Sequence, residues 1–445
     1  MDAGTRKRTC APKTFPCPDC GTRGRRKDTH TRRVRDLAYQ QVVFLDVTVG
    51  EYRAACVCRK TFRSQVPGVE PRAGYTNRVR DAVLDRLLDD GMSLNRVQEA
   101  MKRDFLLELS DGFLADCLDW KVRQLDCPAY RRWTLAHFSG TLCVDEVHLG
   151  HRTLLVATDP IGDFPVAFAL VSANDQDHLG RFLKNLRGKG FSPQVVVTDG
   201  SNLYPTVLAE VWPKARHQLC VFHVLKDLNA CVFDALRRMR RRHAATGGRK
   251  RKRGRRRKDR RKRGPTRKDQ AHFIWKNRYL ITTRPENRDG RARRRLSRMF
   301  QYLPGLRLLR EFVLRVYRLF DPAQSVHQAK CRRAALVNDA AFQADPDLSR
   351  ALGMLGAAKF DKMIAYLRSP VGKRVRTNNH VERANRRLRY LEKVRYKWRR
   401  RRTIVRFVLL PWTAVGNGGW RAIRPRPPQR LDGIVLRGNP GNPSG

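Results

Sequence analysis

The chain has 445 residues, with 94 Lys and Arg against 41 Asp and Glu, a formal net charge of +53 and a pI near 11.2. With 41% hydrophobic residues it can bury a sizeable core, and no segment nears the roughly 18 uncharged apolar residues that span a bilayer. The opening residues, Met1 to Lys7, lead into no apolar stretch, so a secretory signal peptide is not expected; so basic a chain calls for a polyanion, nucleic acid before any membrane surface.

The N-terminal segment, residues 1–66, carries the informative cysteines. Eleven cysteines, an odd number, argue against a disulfide framework and for a reducing compartment. Cys17-Pro-Asp-Cys20-Gly forms a knuckle in which Pro18 and Gly21 let the backbone turn, and Cys56-Val-Cys58 follows after a long gap. Between them Val42 to Val49 is rich in β-branched residues and predicts a strand, and Tyr52 to Ala55 a second one. Two thiolate pairs joined by short strands describe a zinc ribbon, with structural Zn²⁺ held by Cys17, Cys20, Cys56 and Cys58. The second pair is C-x-C, one residue shorter than the first.

Pro67, Gly68, Pro71 and Gly74 mark a linker. Beyond it, over 75–127, Val79, Val83, Leu84, Leu87 and Leu88 recur at helical spacing, and Asp90-Gly91 ends that helix. Ser93 caps a second helix and Ser110 a third. Three short helices joined by tight turns form a helix-turn-helix-like segment for DNA, with Lys121 and Arg123 placed to meet phosphates. A purely structural bundle has the same pattern.

Three apolar runs follow, Thr141 to His148, Thr153 to Asp159 and Pro165 to Val171, and predict an antiparallel meander. A helix with Leu179, Phe182, Leu183 and Leu186 inward comes next, then the buried strand Val195 to Val197 ending in Thr198-Asp199-Gly200. Strand, strand, strand, helix, strand is the order that opens an RNase H-like α/β fold, in which the first and fourth strands lie side by side. Asp145 and Asp199 then face each other, and paired carboxylates suit Mg²⁺ (or Mn²⁺). Glu382 supplies the third carboxylate from a later helix, capped by Asn378 or Asn379, with Val381, Ala384, Leu388 and Leu391 as its apolar face and Arg383, Arg386 and Arg387 around it. Residues 249–268 are a basic run, 15 bases with the single acid Asp259, that reads as a disordered loop. Without its +14 the chain keeps +39, spread over its length, which points to extended contact with phosphates.

CPDCG, VRDL, the Cys56/Cys58 pair, VDEVHLG around Asp145 and VVVTDGSNLYP around Asp199 together resemble a family of proteins. RHQLCVFHVLKDLN (216–229) and TNNHVERANRRLRYLEKVRYKWR (377–399) add the most specific motifs. The chain resembles the DDE transposases of bacterial insertion sequences, most of all the ISL-three group, over residues 15 to 412. The resemblance implies an RNase H-like core in two parts, 138–233 and 377–412, interrupted by an α-helical insertion over 234–376, with 413–445 a flexible tail. It implies catalysis by Asp145, Asp199 and Glu382 through Mg²⁺, with Cys220 and His223 of a C-x-x-H element, Asn379 and Asn385 supporting the site. The reaction implied is cleavage at element ends followed by attack of the 3′-OH on target DNA. Double-stranded DNA bearing terminal inverted repeats, target DNA and a second copy of the chain are the partners implied, in a cytoplasmic, nucleoid-associated setting. A zinc-ribbon and helix-turn-helix DNA-binding protein without catalysis, and a nuclease of the same fold without strand transfer, are the alternatives.

Overall fold

A computed structural model describes residues 4–53, 60–246, 264–395 and 398–412. It divides into two compact units. The first comprises Met1–Ala136, Leu149–His151 and Asn385–Gly445, the second His137–His148 and Arg152–Ala384. Cys56 and Cys58, most of the basic run and the tail from 413 onward lie outside the described residues.

The first unit opens on a five-stranded sheet of β1 (Gly4–Cys10), β2 (Thr14–Pro16), β3 (Arg23–Ala38), β4 (Gln41–Arg53) and β5 (Thr61–Arg63). The order is β1-β4-β3-β2, with β5 also on β4. Apolar residues alternate along β4, so Val43, Leu45, Val47 and Val49 are all buried on one face. The sequence predicts two strands here. They are one, because Tyr52 and Arg53 stay in the ladder opposite Arg26 and Arg25 and again opposite Phe62 and Thr61.

Four helices follow: α1 (Asn77–Leu88), α2 (Leu94–Phe105), α3 (Asp111–Arg123) and α4 (Cys127–Ala136). The five expected residues of α1 are buried, and Gly91 at φ +67° makes the left-handed turn that ends it. The Ser93 hydroxyl accepts from the Arg96 amide and that of Ser110 from the Phe113 amide, each satisfying an otherwise orphaned donor of a first turn.

The second unit is built on the sheet β6 (Thr141–Leu149), β7 (Arg152–Asp159), β8 (Phe164–Val171), β9 (Val195–Thr198) and β10 (Arg216–Leu219). Its order is β10-β9-β6-β7-β8, with β7 antiparallel to β8, and β6, β9 and β10 running parallel. The expected pairing of the first and fourth strands is thus present, in a mixed α/β architecture consistent with an RNase H-like core. Helix α5 (Gln176–Gly188) buries Leu179, Phe182, Leu183 and Leu186, and α6 (Tyr204–Val211) buries Tyr204 and Val207. Each such side chain, fully removed from water, contributes about 1.5–3 kcal/mol before entropy is counted.

From β10 the chain enters α7 (Val221–Ala245), a 25-residue helix. The sequence reading starts an insertion at Asp234, but α7 runs unbroken through that position, since Val232, Ala235 and Leu236 continue the buried stripe of Val224 and Leu228. The helices α8 (Arg267–Lys276), α9 (Gly290–Tyr302), α10 (Leu306–Leu319), α11 (Val326–Val337), α12 (Ala340–Gln343), α13 (Pro346–Gly353) and α14 (Ala357–Met363) follow. They share with α7 one core that includes Phe312, Val313, Phe320, Phe342 and Phe360. Helices α15 (Asn379–Lys393) and α16 (Arg401–Trp412) end the described chain.

Candidate active site

Strand register decides where the aspartates sit. Thr141, Leu142 and Cys143 of β6 pair with Val195, Val196 and Val197 of β9. Asp145, in the middle of β6, and Asp199, just past the end of β9, each lie two residues beyond the last pair, so the parallel ladder brings them level. Leu219 pairs with Thr198 in turn, which puts Cys220 level with Asp199 on the next strand.

Glu382 stands in the first turn of α15 and, like Asp145 and Asp199, belongs to the second unit. Two contacts from the C-x-x-H element fix that turn. The Asn378 amide donates to Cys220 Sγ at 3.2 Å, and His223 Nε2 lies 3.5 Å from Glu382 Oε1. Burial pushes the Cys220 thiol above its usual range, so it serves as a neutral acceptor. Asn378 is buried at the start of the helix, and its side chain donates to the Val144 carbonyl at 3.3 Å. It ties the glutamate helix to the strand of Asp145; Asn379, the alternative cap, is exposed.

The carboxylates feel one another. The Asp145 carboxyl is pushed up to about 7, first by burial, then by the charge of Glu146 and, more weakly, of Asp199 and Glu382. Among the described residues, however, no three His, Cys, Asp or Glu side chains stand close enough to hold a metal ion as they are. The donor chemistry nonetheless fits a hard divalent cation: three carboxylates, oxygen only, with a charge repulsion that a cation relieves.

Two further acids were not singled out from sequence. Glu146 accepts from the hydroxyl of buried Tyr204, and from Asn174 Nδ2 at 3.3 Å. Asp163, in the turn between β7 and β8 at φ +55°, receives His380 Nε2 at 2.8 Å and Arg383 at 3.5 Å. Glu146 follows Asp145 in the chain, and Asp163 holds the two residues His380 and Arg383 of the α15 turn that carries Glu382. VDE was legible as a motif, but only the tertiary contacts separate the role of its Glu from that of its Asp.

The remaining expected residues are spread more widely. Arg386 and Arg387 are exposed, Arg387 reaching Asp89 at 3.3 Å, and Asn385 is buried; all three belong to the first unit. Arg123 is exposed, whereas Lys121 is 6% exposed with its ammonium 5.4 Å from the Trp120 ring centroid. That burial removes Lys121 from the surface available to phosphates. Cys17 is buried and Cys20 exposed, in a turn closed by Gly21 N to Cys17 O at 2.9 Å.

The family model of the ISL-three DDE transposases, described as Transposase, matches residues 142–403, more than half of the chain and the whole span from Asp145 to Glu382. The chain belongs to this transposase family. No curated protein sequence matches it. Among solved structures, the Drosophila P element transposase strand transfer complex is similar at 12% identity and a TM-score of 0.35, over 76% of this chain and 91% of that one. As a transposase the protein acts on DNA, and a net charge of +53 suits that partner. Among the described residues no helix of this transposase is long and apolar enough to cross a membrane.

Proposed function

We propose that this transposase cuts the DNA at its element's ends and joins the freed 3′-OH to target DNA, using Asp145, Asp199 and Glu382 of an RNase H-like core. The observation that carries this reading is the register: β6 and β9 bring two aspartates level, and Asn378, at the start of the helix of Glu382, donates to the Val144 carbonyl next to Asp145. Mg²⁺ or Mn²⁺, when bound by these carboxylates, supplies Lewis acidity and charge neutralisation at the phosphate. The protein's own groups do the rest. Asp145, Asp199 and Glu382 hold negative charge without competing as nucleophiles. Cys220, His223 and Asn378 hold the glutamate helix against the sheet, with Asn385 further along it. Arg383 and the exposed Arg386, Arg387 and Arg123 meet phosphates. The Cys17–Cys20 turn is half of a zinc-ribbon site completed by Cys56 and Cys58, and α1 to α3 read the end sequence. Two ends require at least two copies of the chain on DNA.

The test is purified protein with Mg²⁺ on duplexes carrying the inverted repeats of the element. Nicks with 3′-OH ends and joined products are expected; nicks without joined products would favour a nuclease, and no cutting with intact binding a DNA-binding protein alone.

Tyr204→Phe is expected to slow single-turnover nicking at least about tenfold, because a hydrogen bond to a charged group is worth about 1.5–3 kcal/mol. An unchanged rate would show that the setting of Glu146 does not matter. The Asp145 carboxyl also predicts a pH effect on stability. Between its ordinary value of 3.8 and about 7 the folded chain holds a proton that the unfolded chain has released. Metal-free protein therefore loses stability as pH rises through that window, and a cation offsets the loss. The rise in melting temperature on adding Mg²⁺ is expected to be larger at about pH 8 than at about pH 5. Equal rises at both would sink this account.

A further inference from the structure

Away from the carboxylates, α9 carries Arg291, Arg294, Arg295 and Arg298. Their spacing of i, i+3, i+4 and i+7 stacks them on one face, while Leu296 and Met299 are buried on another. All four side chains lie toward solvent, and among the described residues none has an ion pair or a hydrogen bond to an acid. Like charges at i, i+4 destabilise a helix, so such a face calls for an anionic partner outside the fold. Two clefts flank the ridge. One, of about 510 Å³, is lined by Arg291 and Arg295 together with Asn287 and Asp289. The other, of about 220 Å³, is lined by Arg294 and Arg298 as well as Arg291, Arg295 and Phe273. The one acid in these walls, Asp289, is engaged as the N-cap of α9, accepting from the Ala292 amide at 2.6 Å.

The four arginines follow one another along two turns of the helix, and all of them line the smaller cleft. From Arg291 to Arg298 the helix advances roughly 10 Å. Along a duplex that span passes about three phosphates of one strand. The exposure of all four side chains opens the row to an extended polyanion. We propose that this face of α9 binds the phosphate backbone of duplex DNA, as a contact separate from the carboxylate site. The inference rests on the transposase reading for the identity of the polyanion, and on the row of arginines without acidic partners for the place. It also gives the neighbouring chain a context, since the basic residues of 249–268 lead directly into α8, which packs beside α9.

The experiment measures binding of the full-length protein to a fluorescent random-sequence duplex over a range of KCl concentrations. The variants are R291Q/R294Q/R295Q/R298Q and its all-lysine counterpart. For every phosphate no longer neutralised, the slope of log K against log salt becomes shallower by about 0.9. The glutamine variant is expected to be shallower by about 2–3 and to bind at least about tenfold more weakly near physiological salt. The lysine variant is expected to keep most of the wild-type slope. A wild-type slope in the glutamine variant would overturn the proposal. So would equal loss in both variants, or a loss confined to an RNA hairpin probe. Asp199→Asn separates the two readings. If it still cuts DNA, the assignment of the catalytic site fails whatever α9 does. If it is inactive while the glutamine variant keeps its slope, only the inference about α9 fails.

Discussion

Asp199→Asn is expected to lower cleavage and joining by at least about a thousandfold, equivalent to about 4 kcal/mol of barrier, while duplex binding stays within a few-fold of wild type. The substitution keeps the volume of the side chain and removes its charge. The carbonyl oxygen of the new amide can still accept from the Ser201 backbone N–H, as Asp199 Oδ1 does at 2.9 Å, so the turn after β9 survives. What disappears is one of the carboxylates that β6 and β9 set level. Single-turnover cutting of an end-bearing duplex, beside binding isotherms for the same DNA, reads the two effects separately. A rate within tenfold of wild type would place the chemistry elsewhere.

Asp159→Asn is expected to cost stability instead, by about 3 kcal/mol or more. Asp159 is fully buried at the end of β7 and acts only as an acceptor. Oδ1 takes the Ser139 hydroxyl at 2.8 Å and the Ile161 and Gly162 amides at 2.9 Å, while Oδ2 takes the Ser139 amide at 2.7 Å. An amide has one acceptor oxygen, so in either orientation its NH₂ faces an N–H donor. At least one buried pair is left opposed. Urea denaturation followed by circular dichroism measures the shift in midpoint, and a change under about 1 kcal/mol would show that the site relaxes. The pair of substitutions separates two aspartates that both stand at the end of a strand of the same sheet.

That pair also shows where sequence reading stops. Strands β6 to β9, with Asp145 inside the first and Asp199 just past the last, follow from apolar runs, because a buried strand needs a row of β-branched or aliphatic residues whatever its neighbours are. The helix starts at Ser93 and Ser110 were legible because an N-cap is a local bond. Glu382 was reached through a motif, not a pattern of burial. The boundary at Asp234 falls inside α7, because a helix that leaves a sheet and enters a bundle keeps one apolar stripe, with nothing local to mark a change. The burial of Lys121 was not legible, because it depends on how Trp120 packs. Glu146 and Asp163 were missed because their partners, Tyr204 and His380, are 58 and 217 residues away in the chain. The row on α9 was visible as letters, but its lack of acidic partners is a property of the folded surface.

The register of β6 and β9 has a consequence for how this chain tolerates change. The offset between paired residues is constant along the ladder, so the level of the two aspartates depends on strand pairing and not on the length of chain between them. Residues added or removed in the turn between α5 and β9, or in those joining β6, β7 and β8, alter the path without altering that level. A single residue inserted inside β6 before Asp145 instead rotates its carboxylate to the opposite face of the sheet. Length is therefore a free variable in the turns and a fixed one in two short strands.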